Sequence, residues 1–292
     1  MRGLFRHCIT ISILTSAATI SAQVREEGNV HRLGDRAVLI VDAPRPVDVA
    51  AITLAREFGI AVSVEDPPYV FKDDVKDVTA EVSRVANPQR RILIPKGGKL
   101  EVRFSLKPDG SPHDVAALLQ DLVAAANAAV PYAYRLDKGG ARYVLIPSRM
   151  RDAMGRLTEF TSLLDRRVTI PAGTRAIHAS ATLMAESLSA QTGLRVSCCQ
   201  SSVSGIPWGM PEIPFEAKNE PARDILARLI AAASPRRAGQ TYWLQRCDPL
   251  PSAWCFINLG TIDRPAAPTL AVAPPEGSET GVRWFNPSTV KP

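Results

Sequence analysis

An internal repeat constrains this chain more than any motif does. At an offset of 111, residues 102–146 run against 213–257 without a gap. Val102-Arg103-Phe104 meets Ile213-Pro214-Phe215, Lys107 meets Lys218, and Leu118-Leu119 meets Leu229-Ile230. Farther on, Arg135 meets Arg246, Asp137 meets Asp248, and Tyr143–Ile146 meets Trp254–Ile257. Upstream the offset becomes 134, which lays Gly59–Val64 over Gly193–Cys198 and Leu54 over Leu188. The first copy therefore holds 23 more residues between its halves, around Val70–Gln89. A repeat at fixed spacing reports how many units a chain folds into. The expectation is two units of one fold, each long enough to bury a core. They fall at 36–147, with an insertion at about 70–98, and at 167–260, with 148–166 as the linker.

The pattern inside each copy predicts the same elements. The β-branched runs at 36–42 and 167–171 suit opening strands. Helical segments follow at 46–58 and 180–192, each stopped by a glycine, Gly59 and Gly193, where a left-handed residue closes a helix. Alternation then predicts strands through Ile60, Val62 and Val64, and through Leu194, Val196 and Cys198. A second helix is expected at 112–129, capped by Ser111, with Pro112 in its first turn and Asp114 completing a capping box. Val115, Leu118, Leu119, Leu122 and Val123 form its apolar face. A hairpin follows, turning at Gly139-Gly140. The expected fold class is α+β, as two tandem β-α-β-β-α-β-β units.

The two ends of the chain read differently. Arg2 and Arg6, an apolar run from Cys8 to Ile20 and small residues up to Ala22 have the form of a secretory signal peptide over residues 1–22. The apolar run is too short to span a bilayer, and no later segment reaches the roughly 18 uninterrupted apolar residues of a membrane helix. A periplasmic or secreted product is expected. Loss of the two leader arginines lowers the formal charge from +6 to +4, and the doublets Arg90-Arg91, Arg166-Arg167 and Arg236-Arg237 lie far apart. That is no nucleic-acid footprint. Residues 261–292 carry six prolines and few bulky apolar residues, which predicts a disordered tail. Trp284-Phe285 is its one apolar pair, either loosely placed or a docking peptide.

Beyond the leader four cysteines remain: Cys198, Cys199, Cys247 and Cys255. An even number in an exported chain favours disulfides, and neither pair has the C-x-x-C spacing of a zinc site. Alternation points Cys198 toward the core and Cys199 away. One bridge from this strand to the hairpin is expected, although four cysteines allow three connectivities. The acidic residues Glu65, Asp66, Asp73, Asp74, Asp77 and Glu81 are interrupted by Pro67-Pro68, Lys72 and Lys76, and read as a solvated surface. His31, His113 and His178 are scattered, and no hydrolase, metalloprotease or phosphate-loop motif occurs. No catalytic, cofactor or metal residue is assigned. Tyr132, Tyr134, Tyr143, Tyr242, Trp243 and Trp254 gather on the two hairpins, as core and cross-strand pairs or as an interaction surface.

The second copy has a recognisable wording. Ile170-Pro171-Ala172, Gln191-Thr192-Gly193-Leu194 and the helix Ile225–Ile230 resemble the short N-terminal (STN) domain shared by secretins and TonB-dependent receptors. The resemblance covers roughly 167–259, and the first copy more loosely. Glu65–Val82 is also similar to a segment of bacterial envelope proteins carrying two such modules. The resemblance implies an interaction module of the cell envelope with an envelope protein as partner, and no cofactor. The expected function is therefore a non-enzymatic binding or assembly module whose exposed strand edge accepts a partner segment. The alternatives are binding of cell-wall glycan or a small ligand through the aromatic hairpins, and, third, an enzyme of unrecognised type.

Overall fold

The computed structural model describes residues 28–82, 91–139, 142–198, 212–233, 240–250, 252 and 254–262. It is mixed α+β. The first half comprises β1 (Gly28–Leu33), β2 (Arg36–Ala43), α1 (Pro46–Phe58) and β3 (Val62–Glu65). An inserted run adds a 3-10 turn (Lys72–Asp74), β4 (Val75–Asp77), α2 (Thr79–Val82) and β5 (Leu93–Pro95). Then come β6 (Gly98–Ser105), α3 (Val115–Ala129), β7 (Ala133–Gly139) and β8 (Arg142–Arg151). After β9 (Leu157–Glu159) and a 3-10 turn (Leu163–Asp165), the second half comprises β10 (Arg167–Ala176), α4 (Ile177–Thr192) and β11 (Arg195–Cys198). It ends with β12 (Glu212–Pro221), α5 (Ala222–Ala233), β13 (Thr241–Cys247) and β14 (Trp254–Thr261).

Local chemistry explains the helix boundaries. Pro46 opens α1, where a missing N–H leaves no intrahelical bond unmade. Gly59 closes it at φ 65°, and Gly193 closes α4 at φ 71°, both left-handed. The expected start of α3 is corrected. Asp114 is the cap, its Oδ1 accepting from Ala116 N–H (2.8 Å) and Ala117 N–H (3.0 Å). Ser111 instead donates to Asp109 Oδ1, and Pro112 bridges to Leu106, so both belong to the preceding turn.

The two halves use the same pairings. In the first, β2 pairs with β6, β3 runs parallel to β8, and β7 and β8 form an antiparallel hairpin. In the second, β10 pairs with β12, β11 runs parallel to β14, and β13 and β14 form the hairpin. Sequence comparison did not show that the two three-stranded sets join. Parallel pairing of β13 with β3 makes one sheet in the order β11-β14-β13-β3-β8-β7.

The strands of the second set run opposite to those of the first while keeping the same order along the sheet. A half-turn about an axis crossing the strands relates them, so the helices of the two halves fall on opposite faces. Alternating side chains confirm the two sides. Val62, Val64, Leu145, Tyr242 and Leu244 enter a core under α1 and α3. Val144, Ile146, Trp243, Cys247 and Ile257 enter a second core with α4 and α5. Each layer of helices thus covers its own strands and overhangs those of its neighbour.

Residues 148–166 do not behave as a free linker. The hairpin extends through Arg151, β9 adds to β8, and Leu163 and Leu164 are buried in the second core. The ungapped match of the two hairpins is also corrected. The register pairs Leu136 with Leu145 and Gln245 with Ile257, while Lys138 pairs with Tyr143 and Cys247 with Cys255. Four residues lie between the members of the first closing pair and seven between those of the second. Tyr143 therefore corresponds to Cys255 rather than to Trp254. Gly139 still pairs with Arg142, so it belongs to the ladder and not to the turn expected at Gly139-Gly140.

Candidate interaction surface

Of the acidic residues expected at a solvated surface, Asp73 and Asp77 are exposed, but Asp74 is buried, and so are Glu65 and Asp66, where the halves meet. Glu65 is fully buried and Asp66 is 2% exposed. Glu65 follows the last apolar residue of β3 and receives Arg223 of α5 at 2.7 Å (Nε) and 2.8 Å (Nη2). Ser162 donates to the same carboxylate, and Arg223 also donates to Asp165. Burial works against the Arg223 guanidinium, but its bonds to Glu65 and Asp165 outweigh that and hold its pKa above the usual range.

A second polar set lies beside the first. Asp66 accepts from Arg45 Nε at 3.0 Å and from Tyr69 Oη at 2.7 Å, and Tyr69 and Tyr132 share a hydroxyl contact at 3.1 Å. Burial pushes the Asp66 carboxyl up to about 6, with Arg45 opposing the rise. The second half closes the set. Gln245 Nε2 donates to Asp66 C=O (2.8 Å), Arg45 Nη2 donates to Cys247 C=O (2.9 Å), and Arg246 Nε donates to Asp48 (2.6 Å). In sequence, only the acidic pair immediately after an apolar strand hinted at this arrangement. The two ion-paired sets and the strand pairing make the junction an extended, interlocked contact.

The cysteines are placed in part as expected. Cys198 faces the second core and is 7% exposed. The bridge, however, is Cys247–Cys255 within the hairpin, because these residues lie directly opposite on neighbouring antiparallel strands. Cys198 is itself disulfide-bonded, but to neither Cys247 nor Cys255, so the bridge expected from this strand to the hairpin is corrected. Cys199 lies outside the described residues. Closing so short a loop contributes about 2–3 kcal/mol in the chain-entropy account.

Most hairpin aromatics are core. Tyr132, Tyr134, Tyr242 and Trp243 are buried, so of the two readings left open they take the core one and not that of an interaction surface. Tyr134, Tyr242 and Trp243 point into sheet faces that helices cover, and Tyr132, just ahead of β7, packs in the first core. Tyr143 is half-buried under the Lys138 ammonium. Trp254 is half-buried, stacked on Phe256 at 4.6 Å and overlain by the Arg195 guanidinium at 4.5 Å. Trp284 and Phe285 lie outside the described residues.

Among the described residues the sheet is open at both ends, since no strand pairs with the far side of β7 or of β11. On β7, the Tyr134 N–H and C=O face away from β8 and are held by the Asn127 side chain at 2.6 and 3.1 Å. Alternation directs the backbone groups of Leu136 and Lys138 the same way. A groove of 370 Å³ lies over β7, β8 and β9, lined by Arg135, Ser148, Arg149, Glu159 and Phe160. At the other end, exposed Arg195 and half-buried Trp254 and Phe256 lie on a face that no described helix covers.

Compared with protein-family models, curated proteins and solved structures, the chain matches none. Among the described residues no helix is long and apolar enough to cross a membrane, and no group of three His, Cys, Asp or Glu is placed to hold a metal ion.

Proposed function

We propose that this chain is an exported binding or assembly module of the cell envelope. Two STN-like units would recruit an envelope protein by adding its strand to an open sheet edge. One observation carries the reading: the chain already uses this contact internally, with β13 of one half added to β3 of the other. Strand addition supplies main-chain hydrogen bonds for affinity, while flanking side chains supply selectivity. The disulfide is compatible with an extracytoplasmic setting.

The test is a crosslinked pull-down from the envelope fraction with the native chain and with two variants. Lys138→Pro removes an N–H that points away from β8, so the hairpin keeps its ladder while the edge loses a donor. Phe256→Lys places a charge on the uncovered face at the other end. One variant is expected to reduce capture at least about tenfold, the equivalent of about 1.4 kcal/mol. If both retained native capture, strand addition would be wrong.

A further inference from the structure

The open ends fit each other. Resting on the strand-addition reading, we infer that copies of this chain join head to tail, the β7 end of one adding to the β11 end of the next. The operation that relates the halves supplies the geometry. Through their partners Leu145 and Ile257, Leu136 corresponds to Gln245, and Tyr134 to Trp243. By sequence offset and by core-facing side, Val64 corresponds to Cys198, and Ser63 to Ser197.

The internal junction shows what each position does. Gln245 C=O accepts from Asp66 N–H at 2.8 Å, and Trp243 N–H donates to Ser63 Oγ at 3.2 Å. The Leu136 C=O stands on β7 in the place of the first acceptor, while the position that corresponds to its donor, residue 200, lies outside the described residues. Ser197 offers on β11 the hydroxyl that Ser63 offers on β3. Asn127 holds the Tyr134 N–H until that hydroxyl replaces it.

The uncovered faces are complementary as well. At the β11 end the bare face is on the α1–α3 side of the sheet and carries Trp254 and Phe256. Phe256 occupies the position of Val144, which the neighbouring half covers. At the β7 end α3 stands at the sheet edge, as its Asn127 bonds show, ready to overhang that face. Conversely, exposed Arg135 and half-buried Asp137 lie on the β7 face where a neighbour's α4 layer would sit. Each end presents a bare sheet where the other presents an overhanging layer. A glycan is a poorer occupant, since the Trp254 ring is already engaged by Phe256 and Arg195.

A head-to-tail contact of this kind does not close on itself, whereas a two-fold contact stops at a dimer. Sedimentation equilibrium of the purified chain should show an average mass that rises continuously with concentration. Lys138→Pro blocks one end and Phe256→Lys the other, so each alone should remain monomeric. An equimolar mixture should form particles of twice the monomer mass and no larger. Ser197→Lys serves as a second block of the β11 end if Phe256→Lys loses its near-ultraviolet circular dichroism. A native chain that stays monomeric, one that stops at a dimer, or a variant mixture that never pairs would each overturn the inference. A monomeric native chain whose envelope capture is still lost in Lys138→Pro would sink self-association and leave strand addition standing.

Discussion

Arg223→Ala is expected to destabilise the chain by about 3–5 kcal/mol, the usual penalty for removing one partner of a buried ion pair. The magnitude follows from what remains behind. Glu65 is fully buried, and without Arg223 its carboxylate keeps only the Ser162 hydroxyl among its described hydrogen bonds. Asp165, partly exposed, is affected less. The double variant Arg223→Ala, Glu65→Gln should recover more than half of the loss, because a neutral amide is far cheaper to bury than a bare charge. Urea unfolding of the two variants and the native chain measures both effects. A single-variant loss below about 1 kcal/mol, the level of an exposed pair, would show that the junction is wetter than described.

Asp66 is expected to give the chain a pH dependence opposite to that of most carboxylates. Its folded-state pKa is raised from 3.8 to about 6, so the folded chain holds this proton more tightly than the unfolded chain does. The contribution is present in full below the unfolded value and is lost as pH rises through the folded one. Across that window the change is on the order of 3 kcal/mol, since one unit is worth about 1.4. Asp77, Asp109 and Asp114 have lowered pKa values and act the other way, so the total curve mixes both signs. Comparison with Asp66→Asn isolates the term. From about pH 4 to pH 7 the variant should gain on the native chain by about 2–3 kcal/mol. A constant difference across that range would contradict the buried, raised carboxyl.

Particular residues show what the sequence could and could not reveal. Gly59 and Gly193 ended their helices as expected because a left-handed closing residue is a local requirement. The strand through Val62 and Val64 was equally legible, because alternation is local. Asp114 displaced Ser111 as the cap through competition between neighbouring turns, which pattern alone does not rank. The junction was hidden for a different reason. Glu65 and Arg223 are 158 positions apart, and nothing near either residue reports the other. Acidic residues beside Pro67-Pro68 looked solvated because the element that buries them comes from the other half of the chain. The hairpin aromatics were ambiguous for the same reason, since Tyr242 is covered by the core of the opposite half.

The claim that the halves are joined edge to edge, leaving β7 open, is tested most directly by residue-resolved native-state hydrogen exchange. The account predicts that the Asp66 amide, bonded to Gln245 across the junction, exchanges only when the whole chain unfolds. In Phe256→Lys, which stays monomeric and so leaves β7 without a neighbour, the edge-facing amides of Leu136 and Lys138 should exchange by local opening, many orders of magnitude faster. Rapid exchange at Asp66 together with protection at Leu136 and Lys138 would contradict it, because the sheet would then be divided at β3 and β13 and closed at β7.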